Sequence, residues 1–159
     1  MKKPRIIFTV INDLNYDQRM IRIGKSLVKS GYEVLLVGRQ LSSSQPLQPQ
    51  PFQQKRLHCF FQKGKLFYLE YNLRLLFFLW KKNFDAVCAI DLDTILPAFY
   101  VSKWKGKKMV YDAHEYFTEV PEVVRRPRVK QVWEWVGNHT VSKIKYCYTV
   151  GNALAKVLE

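Results

Sequence analysis

The sequence lacks the glycine-rich turn that a dinucleotide or flavin site requires after its first strand. Backbone can approach a pyrophosphate at a helix N-terminus only where glycines leave room. Here the corresponding turn is Asn12-Asp13-Leu14-Asn15, and Arg39 rather than an acid follows Gly38 at the end of the second strand-like run. Both features argue against a nicotinamide or flavin enzyme, and the Walker-type phosphate loop is missing as well. Cysteine is scarce. Cys59, Cys88 and Cys147 are odd in number and lack metal-type spacing, which fits a reducing, cytoplasmic compartment. No serine or cysteine stands in an elbow context, so a nucleophilic triad has no support. Long apolar runs are also lacking: the richest, Leu66 to Trp80, is interrupted by Glu70, Asn72 and Arg74 and falls short of the ~20 clean residues a membrane span needs. The opening Met-Lys-Lys-Pro-Arg leads into a short apolar run that ends at Asn12-Asp13, without a signal-peptide core or cleavage site. Acids are few. Thirteen Asp and Glu against 26 Lys and Arg leave a net charge of +13, which calls for an anionic partner: nucleic acid, a phosphate-bearing ligand or an acidic membrane face.

What is present is the material of one folded domain. The 159 residues are 48% hydrophobic and 14% aromatic, enough to bury a core and too much for disorder. Arg5 to Ile11 is a continuous β-prone run of the kind that forms a central strand. From Asp17 the period changes, and Met20, Ile23, Gly24, Leu27 and Val28 share a helical face that Gly31 terminates. Glu33 to Gly38 is a second strand, so the chain opens β-α-β. Leu41 to Gln54, rich in Ser, Gln and Pro, reads as a flexible surface loop or flap. Strands are expected at 57–61, 86–90, 107–111 and 144–150, and helices at 66–82, from a start over Asp91-Leu92-Asp93-Thr94 to about 103, at 129–141 and from Gly151 onward. The 66–82 helix is so apolar that more than one of its faces needs covering. This alternation predicts an α/β fold with a doubly wound, mostly parallel sheet, in which ligands bind outside the carboxyl ends of the strands.

The polar residues gather at those ends. Asn12 and Asp13 follow the first strand, Asp91 and Asp93 the fourth, and Asp112, His114 and Glu115 the fifth. His114 is the candidate catalytic residue, since an imidazole beside carboxylates can act as acid, base or donor to a sugar hydroxyl. Asp91-x-Asp93 has two readings: a divalent-metal and diphosphate site, or a helix N-cap with a carboxylate at the positive end of the dipole, the cap being favoured for Asp93. Lys103, Lys105, Lys107 and Lys108, then Arg125, Arg126, Arg128 and Lys130, are interleaved with Trp104, Trp133 and Trp135. No nucleic-acid motif accompanies them, and the pattern suits an anionic bilayer surface, with ordinary solvated surface as the plain alternative.

Val110-Tyr111-Asp112-Ala113-His114-Glu115-Tyr116-Phe117-Thr118-Glu119-Val120-Pro121, with Asp91-Leu92-Asp93-Thr94-Ile95-Leu96-Pro97-Ala98 and the Asn12-Asp13-Leu14 turn, resembles the N-terminal domain of bacterial GT-B glycosyltransferases of family 4. The resemblance runs over nearly the whole chain. It implies a Rossmann-like domain, one half of a GT-B architecture, in a retaining, metal-independent enzyme that moves a sugar from a nucleotide-sugar donor to a glycan or lipid-linked acceptor. His114 would lie near the transferred sugar. Asn12 and Asp13 would fall in the acceptor-side loop, and Asp91, Asp93, Asp112 and Glu115 are the further substrate-binding candidates. Two departures stand out: Ile90 precedes Asp91 where the family often has histidine, and the family's glycine-rich first loop is missing. The donor nucleotide would be a co-substrate rather than a cofactor, held on a second domain that these residues do not include. The expectation is therefore a single acceptor-side domain over 1–159, inactive alone. Its expected partners are the acceptor, the donor-binding domain and an anionic inner-membrane face, with no nucleic acid. The other readings are a non-catalytic module for membrane or glycan, and a metal-dependent transferase built on Asp91 and Asp93.

Overall fold

The computed structural model describes residues 2–151, 155 and 156. Strands β1 (Arg5–Thr9), β2 (Glu33–Gln40), β3 (Gln53–His58), β4 (Ala86–Ile90), β5 (Lys108–Ala113) and β6 (Tyr146–Thr149) form one sheet, ordered β3-β2-β1-β4-β5-β6, with every pairing parallel. The helices are α1 (Gln18–Lys29), α2 (Gly64–Trp80), α3 (Ile95–Lys105), a single turn α4 (Pro121–Val124) and α5 (Pro127–Thr140). The expected α/β class and Rossmann-like sheet are what the chain forms. Strand order reverses between β1 and β4, which opens a crevice at their carboxyl ends.

Alternation along the strands divides the core in two. Ile7, Val37, Val87, Ala89 and Tyr111 face the layer that contains α2, α3 and α5. Phe8, Val10, Leu36, Cys88 and Ile90 face α1 and the ring of Phe52. Central strands covered on both sides have no polar alternation to show, which is why β1, β2 and β4 read as continuous apolar runs.

Three expectations are corrected or sharpened. The third strand lies at 53–58, earlier than the apolar run at 57–61. As the edge strand beside β2 it tolerates Gln53, Gln54, Lys55 and Arg56, because one rim faces water. The segment between β2 and β3 lies on the surface and is tied back to the turn after β1. Ser44 and Arg56 bond the Asp13 carboxylate, and Asn15 bonds the carbonyl of Pro46 (2.8 Å) and the amide of Gln48 (3.1 Å). Polar anchors thus hold the loop along the β1 turn, and the buried ring of Phe52, with Leu47 packed against the same cluster, pins it to the core. Finally, α2 buries Phe67, Tyr71, Leu75 and Leu79, yet the described residues leave its outer face, with Leu69 and Phe77, exposed. The helix expected from Gly151 lies outside the described residues, apart from Ala155 and Lys156.

Candidate functional site

The site is built where β1 and β4 part. Thr94 sits at the junction: its hydroxyl donates to the Thr9 carbonyl at 3.1 Å and lies 3.0 Å from the Thr9 hydroxyl, stitching the turn after β4 to β1. The chain leaves β4 through Asp91, whose φ of +58° is the one positive value outside glycine among the described residues. With its ψ of 178°, the residue occupies a region populated almost only by glycine, so the backbone is strained here. It aims the Asp91 carboxylate across to the next strand end. Oδ1 accepts from the backbone N–H groups of His114 (3.0 Å) and Glu115 (3.2 Å), while the Asp91 amide donates to the Asp112 carbonyl (3.0 Å). One carboxylate therefore sets the course of the chain after β5. The exposed side chains of His114 and Glu115 are held at the mouth of the crevice.

Burial pushes the Asp91 carboxyl up to about 6, and the charge of Glu115 adds to it; the backbone bonds from Glu115 and His114 and the charge of His114 offset part of the rise. A group whose folded value stands at about 6 against 3.8 takes up its proton in the native state first, so its contribution to stability falls as pH rises through that window. Asp91→Asn keeps an oxygen for both N–H groups and matches Asp in size, so it adds no strain to that already at this backbone angle. The variant is expected to hold its fold and to lose the part of the pH dependence of stability that wild type shows between about 4 and 6. An NMR titration that puts the Asp91 carboxyl midpoint near 4 would refute this.

The other candidates divide. Asn12 is exposed, and its carbonyl accepts from the Arg39 amide at 3.1 Å. Asp13 is buried, caps the turn through the Asn15 amide and bonds Ser44 and Arg56. Burial opposes its ionisation, but these bonds outweigh it and hold the carboxyl below the usual range. Asp112 is 0% exposed and its two oxygens are occupied: Arg19 approaches at 2.5 and 2.6 Å, and the Tyr148 hydroxyl donates at 2.6 Å. Its carboxylate ties α1 to β5 and β6. Asp93 is buried and makes no capping bond, which corrects the N-cap reading. The caps of the two turns are Asp91 and Thr94, neither with a side-chain cap bond. Burial drives the Asp93 carboxyl well above the ordinary range, the Asp91 charge adds to this, and Arg39 offsets part of it. Among the described residues no group of three His, Cys, Asp or Glu could hold a metal ion, so Asp91 and Asp93 have no third ligand beside them.

A cavity of about 450 Å³ opens beside this edge, floored by Leu92, Tyr111 and Ala113 and walled by Glu115, Phe117 and residues of α5. Glu115 thus reaches both the crevice and the cavity. Three contributors escaped the sequence reading: Arg19, Arg39 and Thr94. Arg19 left a signal, because a cation in the first turn of a helix opposes the dipole and calls for a carboxylate nearby. Arg39, stacked 4.6 Å over the Phe67 ring of α2, and Thr94, bonded to Thr9 of β1, left none, since their partners come from elements distant in the chain.

The sequence matches no protein-family model and no curated protein. Its fold, however, recurs in solved structures. The assigned UDP-N-acetylglucosamine 2-epimerase of Listeria monocytogenes aligns over 99% of this chain and 41% of its own, with a TM-score of 0.56 and 12% identity. UGT2 of Phytolacca americana, complexed with UDP-2fluoro-glucose and pterostilbene, aligns over 79% of this chain and 35% of its own, with a TM-score of 0.51 and 12% identity. The glycosyltransferase SsfS6 of Streptomyces sp. SF2575 aligns over 90% of this chain and 47% of its own, with a TM-score of 0.51 and 10% identity. The chain spans less than half the length of each. What these likenesses establish is the fold: a Rossmann-like α/β domain corresponding to one half of a GT-B architecture.

Proposed function

We propose that this domain forms the acceptor side of a retaining family 4 glycosyltransferase, which moves a sugar from a nucleotide-sugar donor to a glycan or lipid-linked acceptor. The observation that carries the reading is the junction at β1, β4 and β5, where Asp91 holds the backbone of His114 and Glu115 and leaves the imidazole exposed at the crevice. Two of the proteins that share the fold support it: one is a glycosyltransferase, and the other was solved with a UDP-sugar derivative. In this reading a second Rossmann-like domain presents the donor across the crevice. His114 hydrogen-bonds a hydroxyl of the transferred sugar, and Asn12 with Glu115 lines the acceptor. The buried Asp93 and Asp112 act through packing and position. No step calls for a metal ion.

The test uses the 159-residue chain itself. Incubated with UDP-glucose or UDP-N-acetylglucosamine and simple glycans, it is expected to transfer nothing. Titrated with short oligosaccharides and a short-chain polyprenyl phosphate sugar, it is expected to show NMR shifts at Asn12, His114 and Glu115 that His114→Ala abolishes. Turnover by the chain alone, or acceptor binding that leaves these residues unperturbed, contradicts the proposal. Epimerisation of a nucleotide sugar is the second reading, favoured by the likeness that covers 99% of the chain. It needs no acceptor, so acceptor binding at His114 separates the two.

A further inference from the structure

α2 is apolar on two faces, and the described residues cover one. Leu66, Leu69, Leu73, Phe77 and Trp80, spaced three or four residues apart, form an outward row along the whole helix, with Leu69 59% and Phe77 61% exposed. The row is preceded in the chain by the exposed Phe60 and Phe61 and meets Trp104 of α3, whose ring stands edge-on to Trp80 at 5.5 Å. Single exposed apolar residues are ordinary, but a contiguous row needs an occupant.

The charges around the row point to one. From Cys59 to Lys82 the only acid is Glu70, and its oxygens are taken by the amides of Phe60 and Phe61 and by Arg74 at 2.7 Å. Residues 94–111 contain no acid at all. Lys63 and Lys65 stand at the start of α2, where the helix dipole favours anions and no side chain caps the end. Lys81 and Lys82 stand at the other end, joined by Lys105 of α3, whose ammonium donates to the Lys82 carbonyl at 2.8 Å.

We propose that the outer face of α2, with Trp80 and Trp104, docks on an anionic phospholipid surface. The apolar row enters the boundary between headgroups and acyl chains, and the lysines at both ends meet lipid phosphates. Indole rings of this kind settle at headgroup level. Among the described residues no helix is long and apolar enough to cross a membrane, so the helix lies along the surface. A second copy of the chain fits the face poorly. Paired in either direction, two α2 rows bring lysines against lysines, and the one nearby acid is already engaged. The inference stands apart from the sugar-transfer reading, for it needs no particular chemistry at His114.

Vesicles of phosphatidylcholine with and without phosphatidylglycerol provide the test, read by co-sedimentation and by tryptophan emission. The chain is expected to bind only the anionic vesicles, with a blue shift and with weakening as salt rises. Leu69→Ser/Phe77→Ser is expected to reduce partitioning at least about tenfold. Both positions are exposed, so an unchanged melting temperature confirms that the variant is folded. Three outcomes overturn the proposal. One is no sedimentation with anionic vesicles. The second is undiminished binding by the double variant, which makes the attraction plain charge adsorption. The third is a dimer in sedimentation velocity that the same variant dissociates, with no vesicle binding, which assigns the row to a second copy.

Discussion

Asp112→Ala is expected to destabilise the domain by about 3 kcal/mol, the lower end of what breaking a buried ion pair costs. The carboxylate is 0% exposed and takes two contacts from Arg19 and one from the Tyr148 hydroxyl. Removing it leaves a guanidinium whose side chain is only 23% exposed without a counter-charge. Some water reaches Arg19 and Tyr148, which keeps the penalty from being larger. For a domain of this size the loss corresponds to a melting temperature lower by roughly 10 °C. Arg19→Met/Asp112→Leu, which removes both charges, is expected to recover much of it, because an apolar pair carries no desolvation cost. Thermal unfolding of the three proteins decides the matter. If Asp112→Ala melts within a degree or two of wild type, the carboxylate is free for a ligand and its tie to α1 has been overvalued.

Gly38→Ala is expected to cost about 2 kcal/mol or more and to disturb the crevice directly. A methyl group on Gly38 would sit 2.5 Å from the carbonyl oxygen of Asn12 and collide with the Leu14 side chain. The backbone here has an ordinary φ, so the strain comes from the close approach of the β1 turn to β2. Because the obstacle is backbone, the turn must lift. That breaks the bond from the Arg39 amide to Asn12 and moves Asn12 and Asp13 with it. The entropy that alanine removes from the unfolded chain, at most about 1 kcal/mol, works the other way and loses. Gly24→Ala is the control. The three atoms nearest its added methyl all belong to the ring of Phe52, from 2.8 Å, a buried side chain that has to shift but moves no turn with it. Chemical denaturation should rank Gly38→Ala well below Gly24→Ala, and the acceptor binding proposed above should weaken only in the former. Equal stability of the two variants would show that the turn after β1 is not seated on β2.

The class of the fold was legible in the chain because buried parallel strands leave a strong local mark. Arg5–Thr9, Glu33–Gln40 and Ala86–Ile90 are runs of apolar residues short enough to be strands, and the helices between them have clear starts and stops. The polar residues at 12–13, 91–93 and 112–115 were legible as strand-end residues for the same reason: position in a β-α unit follows from the order of elements. The resemblance around Tyr111 to Glu115 rests on the same local text.

Only the tertiary structure decided what each of those residues does. Asp112 and His114 are two positions apart, a spacing that would put both on one face of a strand, yet one is sealed beneath Arg19 and the other is exposed, because β5 ends at Ala113 and the chain turns there. Asp91 and Asp93 look like a pair in sequence, but one carboxylate grips the backbone after β5 while the other is buried without a cap to make. The outward face of α2 is the plainest case. Local hydrophobicity could say that the helix has more apolar surface than one sheet can cover, and it led to the expectation that neighbours would bury the rest. Which neighbours exist is set by long-range pairing, and among the described residues none covers Leu69 and Phe77. The sequence by itself determined the doubly wound scaffold and the edge where its polar residues gather, since those depend on periodicity within a few residues. Partnership, burial and the uncovered face depend on contacts between residues up to 93 positions apart, as Arg19 and Asp112 are, and these arise only when the sheet is assembled.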